Sequence, residues 1–241
     1  MNVPAAVEPV ILSASRATDV PAFYADWFMN RLRAGWFEWT NPFNPRQVQR
    51  VSTVRVRVIV FWSKHPAGLL PHLDELDRRG LHYYFQYTLN DYEAEGWEPH
   101  LPPLKERLAL FRRLAARLGP ERVVWRLDPL LLAAGVGVPE LLAKAGRLLA
   151  ALGGCTRKLV FSFADLAPYP AVRRNLARAG LAVREFSRAE MREFASGLAE
   201  LNRAFGLAVA TCAEEVDLAE FGIAHNRCVD GEMLARLWPE D

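Results

Sequence analysis

A chain of 241 residues, 51% of them hydrophobic, is long enough to bury a full α/β core and too apolar to be disordered or linker-dominated. Its formal net charge of +2 makes no electrostatic case for nucleic acid, and no run approaches the roughly 18–20 apolar residues of a membrane span. Three cysteines without C-x-x-C spacing, Cys155, Cys212 and Cys228, argue against a disulfide framework and against a locally encoded zinc or iron–sulfur site. Folding could still assemble Cys212, His225 and Cys228 into a metal site, though free cysteine commonly packs as a small hydrophobe. The first residues lack the basic start and apolar core of a signal peptide, so a cytoplasmic address is expected.

Strand-like and helix-like runs alternate without a break in composition. Six runs begin apolar, as strands buried on both faces do, and end in polar residues. They are 11–19, 58–64, 83–88, 123–128, 159–165 and 207–215. After the first, Pro21 starts a helix with Phe23, Trp27 and Leu32 near one face, closed by Gly35. Trp36 to Ser52 reads as an irregular hairpin around Asn41-Pro42-Phe43-Asn44-Pro45. A helix follows near Pro66 to Arg79. The 90–103 connection, rich in Pro, Glu and aromatics, has the length of a lid or binding segment.

Leu104, Leu108, Phe111, Ala115 and Leu118 then form one helical stripe, ended by Gly119-Pro120. Another helix runs from about Pro139 to Leu152. Ser187-Arg188-Ala189-Glu190 is a capping box opening a helix with Met191, Phe194, Leu198, Leu201 and Phe205 at helical spacing. The arginines Arg107, Arg112, Arg113, Arg117 and Arg122, and likewise Arg173, Arg174 and Arg178, read as solvated helix faces, which leaves nucleic acid disfavoured as a partner. Alternation of this kind means parallel strands with crossover helices. The expectation is a single α/β domain over 1–241, an incomplete or open (β/α) barrel of about six parallel strands, TIM-barrel-like, with an inserted hairpin. A doubly wound sheet is the alternative. No G-x-G-x-x-G or P-loop pattern supports nucleotide binding.

Polar residues at the carboxyl ends of parallel strands mark a site, because loops and helix N-termini converge there. Arg126 and Asp128, two apart, share a strand face and should pair; the pair could hold an anion or simply tie strands together. Lys64 could be a base, a Schiff-base former or an anion clamp, or could cap its strand in solvent. Ser13, Ser15, Arg16, Thr18 and Asp19 form the densest polar cluster; Asp19 could equally cap the first helix. Gln86 and Thr88 share a face, as do Cys212 and Glu214, and Glu214 could serve as a general base. Asn41 and Ser162 complete the candidate ligand contacts.

Six of these stretches, taken in order, resemble a bacterial domain-of-unknown-function family numbered eighteen-forty-eight. They are Ser13-Ala14-Ser15-Arg16-Ala17-Thr18-Asp19, Asn41-Pro42-Phe43-Asn44-Pro45, Trp62-Ser63-Lys64-His65-Pro66, Phe85-Gln86-Tyr87-Thr88, Trp125-Arg126-Leu127-Asp128-Pro129 and Thr211-Cys212-Ala213-Glu214-Glu215. The resemblance implies a radical-S-adenosylmethionine-like protein with an incomplete barrel. It also implies a C-terminal cysteine cluster holding [4Fe–4S], which this chain, ending at Trp238-Pro239-Glu240-Asp241, lacks. The leading expectation is therefore a radical-S-adenosylmethionine-related barrel that binds a small polar or anionic ligand at the strand ends. It holds no cofactor alone, and a cluster would come from a further C-terminal segment or a partner. In that reading Arg16, Lys64 and Arg126 hold the anion, Asp128 orients Arg126, and Gln86, Thr88 and Glu214 meet polar groups. The alternatives are a cluster-independent lyase or hydrolase using Lys64 and Glu214, and a non-catalytic binding or scaffold domain.

Overall fold

The computed structural model describes residues 6–14, 18–41 and 44–240. They form two compact units, Met1–Tyr87 with Gly231–Asp241, and Thr88–Asp230. In the first, β1 (Ile11–Ala14) is followed by α1 (Val20–Phe23) and α2 (Ala25–Ala34). The helix expected from Pro21 is thus two helices broken at Tyr24. The second buries Ala25, Phe28, Met29 and Leu32, while Phe23 and Trp27 point to solvent. Gly35 ends it in the left-handed region, φ 79°, where a Cβ would be strained.

The hairpin is present as β2 (Trp36–Asn41) and β3 (Asn44–Ser52), antiparallel with a register shift at Thr40/Asn41. Its turn residues Pro42 and Phe43 lie outside the described residues. β4 (Val58–Ser63) pairs in parallel with β1 on one side and with β5 (His82–Thr88) on the other. Val58 to Phe61 are buried, and Tyr83, Tyr84, Phe85 and Tyr87 are fully so, the composition a strand covered on both faces needs. Pro66–His72 is a 3₁₀ helix with Pro71 inside it, and only Leu73–Arg78 is α-helical (α3).

The second unit continues the alternation with α4 (Leu104–Leu118), β6 (Val123–Leu130), β7 (Leu132–Ala133), α5 (Val138–Leu152), β8 (Lys158–Phe163), α6 (Pro170–Arg178), β9 (Val183–Arg184), α7 (Arg188–Asn202), β10 (Ala208–Thr211) and β11 (Ala224–His225). β6, β8, β10 and β11 pair in that order, all parallel; β7 and β9 form a separate antiparallel pair. The capping box is as expected: Ser187 Oγ accepts from the Glu190 N–H, and Glu190 accepts from the Ser187 N–H. Short α8 (Gly231–Leu237) belongs to the first unit, where Trp238 stacks on His82 with ring centroids 4.8 Å apart.

The six expected strands are thus β1, β4, β5, β6, β8 and β10, and β11 is a seventh parallel strand of two residues. These strands with their helices make a mixed α/β fold. No helix of the described residues is long and apolar enough to cross a membrane.

Residues 89–103 contain no regular element, yet they are clamped rather than loose. Trp125 Nε1 donates to the Leu89 carbonyl, and the Tyr92 hydroxyl donates to the Pro129 carbonyl while accepting from the Leu131 N–H. Lys144, on α5, donates to the Asp91 carbonyl and pairs with Glu95 at 2.8 Å. Arg107 corrects the solvated-face expectation most clearly, being 2% exposed. It donates to the carbonyls of Pro102 and Asn90, each at 3.0 Å, and to the Glu98 carboxylate. A buried guanidinium needs this many acceptors to offset its lost hydration.

Candidate functional site

In the first unit the polar strand ends tie to one another. Asp19 takes the capping role: its Oδ1 accepts the Ala22 N–H, and its Oδ2 accepts the Ser63 hydroxyl and the Lys64 N–H. That carboxylate links the start of α1 to the end of β4. Ser13 Oγ accepts from Trp62 Nε1 at 3.0 Å. Lys64 is half-buried, and Gln86, in register with Trp62, is 2% exposed. Asn41 is apart from these, on the hairpin, where its amide donates to Gln47. Ser15 and Arg16 lie outside the described residues.

The second unit gathers the remaining candidates at the carboxyl ends of β6, β8 and β10. Arg126, 4% exposed, pairs with Asp128, and Thr88 donates to the same carboxylate at 3.3 Å. The next peptide, Asp128-Pro129, is cis. Burial works against the Arg126 charge, but Asp128 and a hydrogen bond to Cys212 outweigh it and hold its pKa above the usual guanidinium value. The end of β10 is stitched to β8: the Cys212 N–H donates to the Phe161 carbonyl, and Glu214 Oε1 accepts the Phe163 N–H at 2.7 Å.

Between Cys212 and Glu214, Ala213 has φ 60°, the one positive-φ non-glycine among the described residues. That conformation costs an alanine about 1–2 kcal/mol. Strain of this size persists only where the surroundings impose it. Here the turn presents the Cys212 and Glu214 side chains to one cavity.

That cavity, of about 560 Å³, opens at the ends of β8 and β10. Of the candidate residues, Ser162, Cys212 and Glu214 line it, and Arg126, Asp128 and Thr88 do not. Apolar walls come from Phe163 and Phe186, whose ring centroids are 4.6 Å apart, with Leu131 and Met191. Sequence reasoning did not assign Asp165, Glu185, Arg188 or Tyr169 to a site, yet all four line it. Asp165 ended a strand-like run and could have been included on that ground; Glu185 sits beside a two-residue strand that leaves no periodicity to read.

Burial is the largest influence on Glu214 and pushes its pKa up, aided by the charge of Asp165; the Phe163 N–H and His225 pull the other way. Glu185 moves down, because its carboxylate accepts the N–H groups of Leu166 and Ala167.

An α/β protein with a cavity at the carboxyl ends of parallel strands is the class that this geometry defines. The chain belongs to the family described as Domain of unknown function (DUF1848), whose model matches residues 11–241. No curated protein and no solved structure matches it.

The [4Fe–4S] cluster implied by the resemblance requires converging thiolates. Cys155 precedes the first residue of β8, while Cys212 follows the last residue of its parallel neighbour β10. Opposite ends of a six-residue strand lie roughly 20 Å apart. No group of three His, Cys, Asp or Glu side chains among the described residues is arranged to hold a metal ion, the Cys212, His225 and Cys228 set included. The described residues therefore do not form a site for that cluster.

Proposed function

We propose that the protein binds a small polar molecule in the second unit, at the carboxyl ends of β8 and β10, and that Glu214 holds and moves a proton on it. The cavity lined by Ser162, Cys212 and Glu214 carries this reading. A cleft of this size, apolar with a few convergent polar groups and one carboxyl of perturbed pKa, has the features of a ligand site. Glu214 is half-buried and burial pushes its pKa up, the direction that suits a carboxyl for general acid–base work. Arg126 acts on the ligand through others: Asp128 fixes its guanidinium, which in turn holds the Cys212 side chain at the cavity lining. Two arginines would then serve different ends, Arg126 on β6 in positioning and Arg188 at the start of α7 on the cavity wall.

A fragment library of mixed charge, screened by NMR on the isotope-labelled full chain, tests the reading. Binding fragments should shift the amides of 162–165 and 212–215 together, and the Glu214 carboxyl should titrate above the ordinary carboxylate range and move on binding. Fragments that map elsewhere, or none that map to these two strand ends, would overturn it.

A further inference from the structure

Two features of the cavity limit what can occupy it. The first is its charge. Asp165, Glu185, Glu214 and Glu215 line it against one basic residue, Arg188. One oxygen of Glu185 accepts the N–H groups of Leu166 and Ala167, its side chain also hydrogen-bonds that of Asp165, and Arg173 acts on it only through space. An anion entering this lining would meet several carboxylates, and like charges repel. A cation would be drawn in.

The second is α6. It is nine residues long and none of them is buried. A short helix in water draws its stability from packing an apolar face, and of this one only Leu176 is even half-buried. Its Val172, 43% exposed, and the preceding Tyr169, 58% exposed, nonetheless line the cavity. The apolar surface they offer faces the same space as Phe163, Phe186 and Met191. An apolar body held there would be covered on one side by the core and on the other by α6, burying Tyr169 and Val172 in turn.

We propose that the ligand is an amine-bearing molecule with an aromatic or other apolar body, its cationic group among Asp165, Glu214 and Glu215, and that α6 closes over the body. The inference rests on the cavity being a ligand site. Tryptamine, tryptophol and indoleacetate share a ring and differ in charge, and serve as probes by calorimetric titration of the full chain. Tryptamine should bind at least about tenfold more tightly than tryptophol, with indoleacetate weakest. Asp165→Asn and Glu215→Gln, both at exposed positions, should each lower tryptamine affinity about three- to tenfold and leave tryptophol unchanged. Hydrogen exchange across 170–178 should slow when tryptamine binds.

Indoleacetate binding as tightly as tryptamine, none of the three binding, or tryptamine binding with unaltered exchange in α6 would overturn the proposal. If fragments of other charge shift 162–165 and 212–215 while tryptamine does not, the amine inference falls and the ligand site stands. If no fragment of any charge shifts them, the site reading falls as well.

Discussion

Replacing Arg107 by methionine tests whether the 90–103 connection is held by a buried cation. The guanidinium is 2% exposed and donates to two backbone carbonyls and to Glu98, whose side chain is 10% exposed. Methionine fills comparable space but donates nothing, so two carbonyls and a carboxylate would be left short of partners. An unmet buried acceptor costs about 1–3 kcal/mol, and removing one partner of a buried ion pair about 3–5 kcal/mol. These costs overlap, and the larger range is the expected loss. For a chain of this size it corresponds to a fall in Tm of roughly 6–20 °C. Urea unfolding followed by far-ultraviolet circular dichroism, with calorimetry, measures it. Adding Glu98→Gln should recover part of the loss, with a coupling of about 0.5–3 kcal/mol. A solvated arginine would change stability by no more than about 0.5 kcal/mol. A loss that small, or strict additivity in the double variant, would refute the reasoning.

Two further outcomes follow from the same kind of accounting. A Cβ on Gly68 would lie 2.8 Å from the carbonyl oxygen of Pro21, which as backbone cannot rotate away; Gly68→Ala should cost about 1–3 kcal/mol by urea unfolding, and an unchanged midpoint would mean that this contact is loose. Two glutamates should give opposite slopes of stability against pH. The Arg184 guanidinium, then Ser187, hold Glu190 at about 2 against an ordinary 4.5, so its contribution is full above 4.5 and is lost as pH falls towards 2. Burial raises Glu214, so its proton is held more tightly in the folded chain and stability declines as pH rises from 4.5 through the raised value. Unfolding midpoints measured from pH 2 to 8 should show Glu190→Gln flattening the acid limb and Glu214→Gln flattening the limb above it; the reverse assignment would contradict both environments.

The sequence carries the strands well because their signal is local and strong. β4 and β5 are short runs rich in β-branched and aromatic residues, which favours a strand buried on both faces over a helix of six or seven residues. The capping box at Ser187 is equally local, two side chains and two N–H groups within one turn. What failed depended on distant residues. Arg107 falls at helical spacing with the buried Leu110, Phe111 and Leu114, but a charged residue there reads as solvated, and its partners come from a connection folded over it whose path no periodicity encodes. The break at Tyr24 likewise reflects packing: α2 turns Phe28 against Phe61, a ring contact of 5.5 Å, and so rotates Trp27 outward. Two-residue strands such as β9 and β11 are too short for any alternation to show.

The same distinction governs the site. Arginine and lysine at strand ends suggest an anion clamp only if their charges are free to meet a ligand, and freedom is a property of neighbours. Arg126 is committed to Asp128, two residues on, and to Cys212, which comes from a strand far along the chain. Spacing could reveal the first partner but not the second. The carboxylates facing the cavity arise in the opposite way: Asp165, Glu185, Glu214 and Glu215 lie on three separate segments, of which only Glu214-Glu215-Val216-Asp217 is acidic by itself. Asp165, Glu214 and Glu215 come together through the parallel order of β8 and β10, which brings the ends of both strands to the same side, and Glu185 joins them from the end of β9. The fold therefore sets where the polar strand ends meet, while the charge of the lining depends on side chains brought in from separate segments.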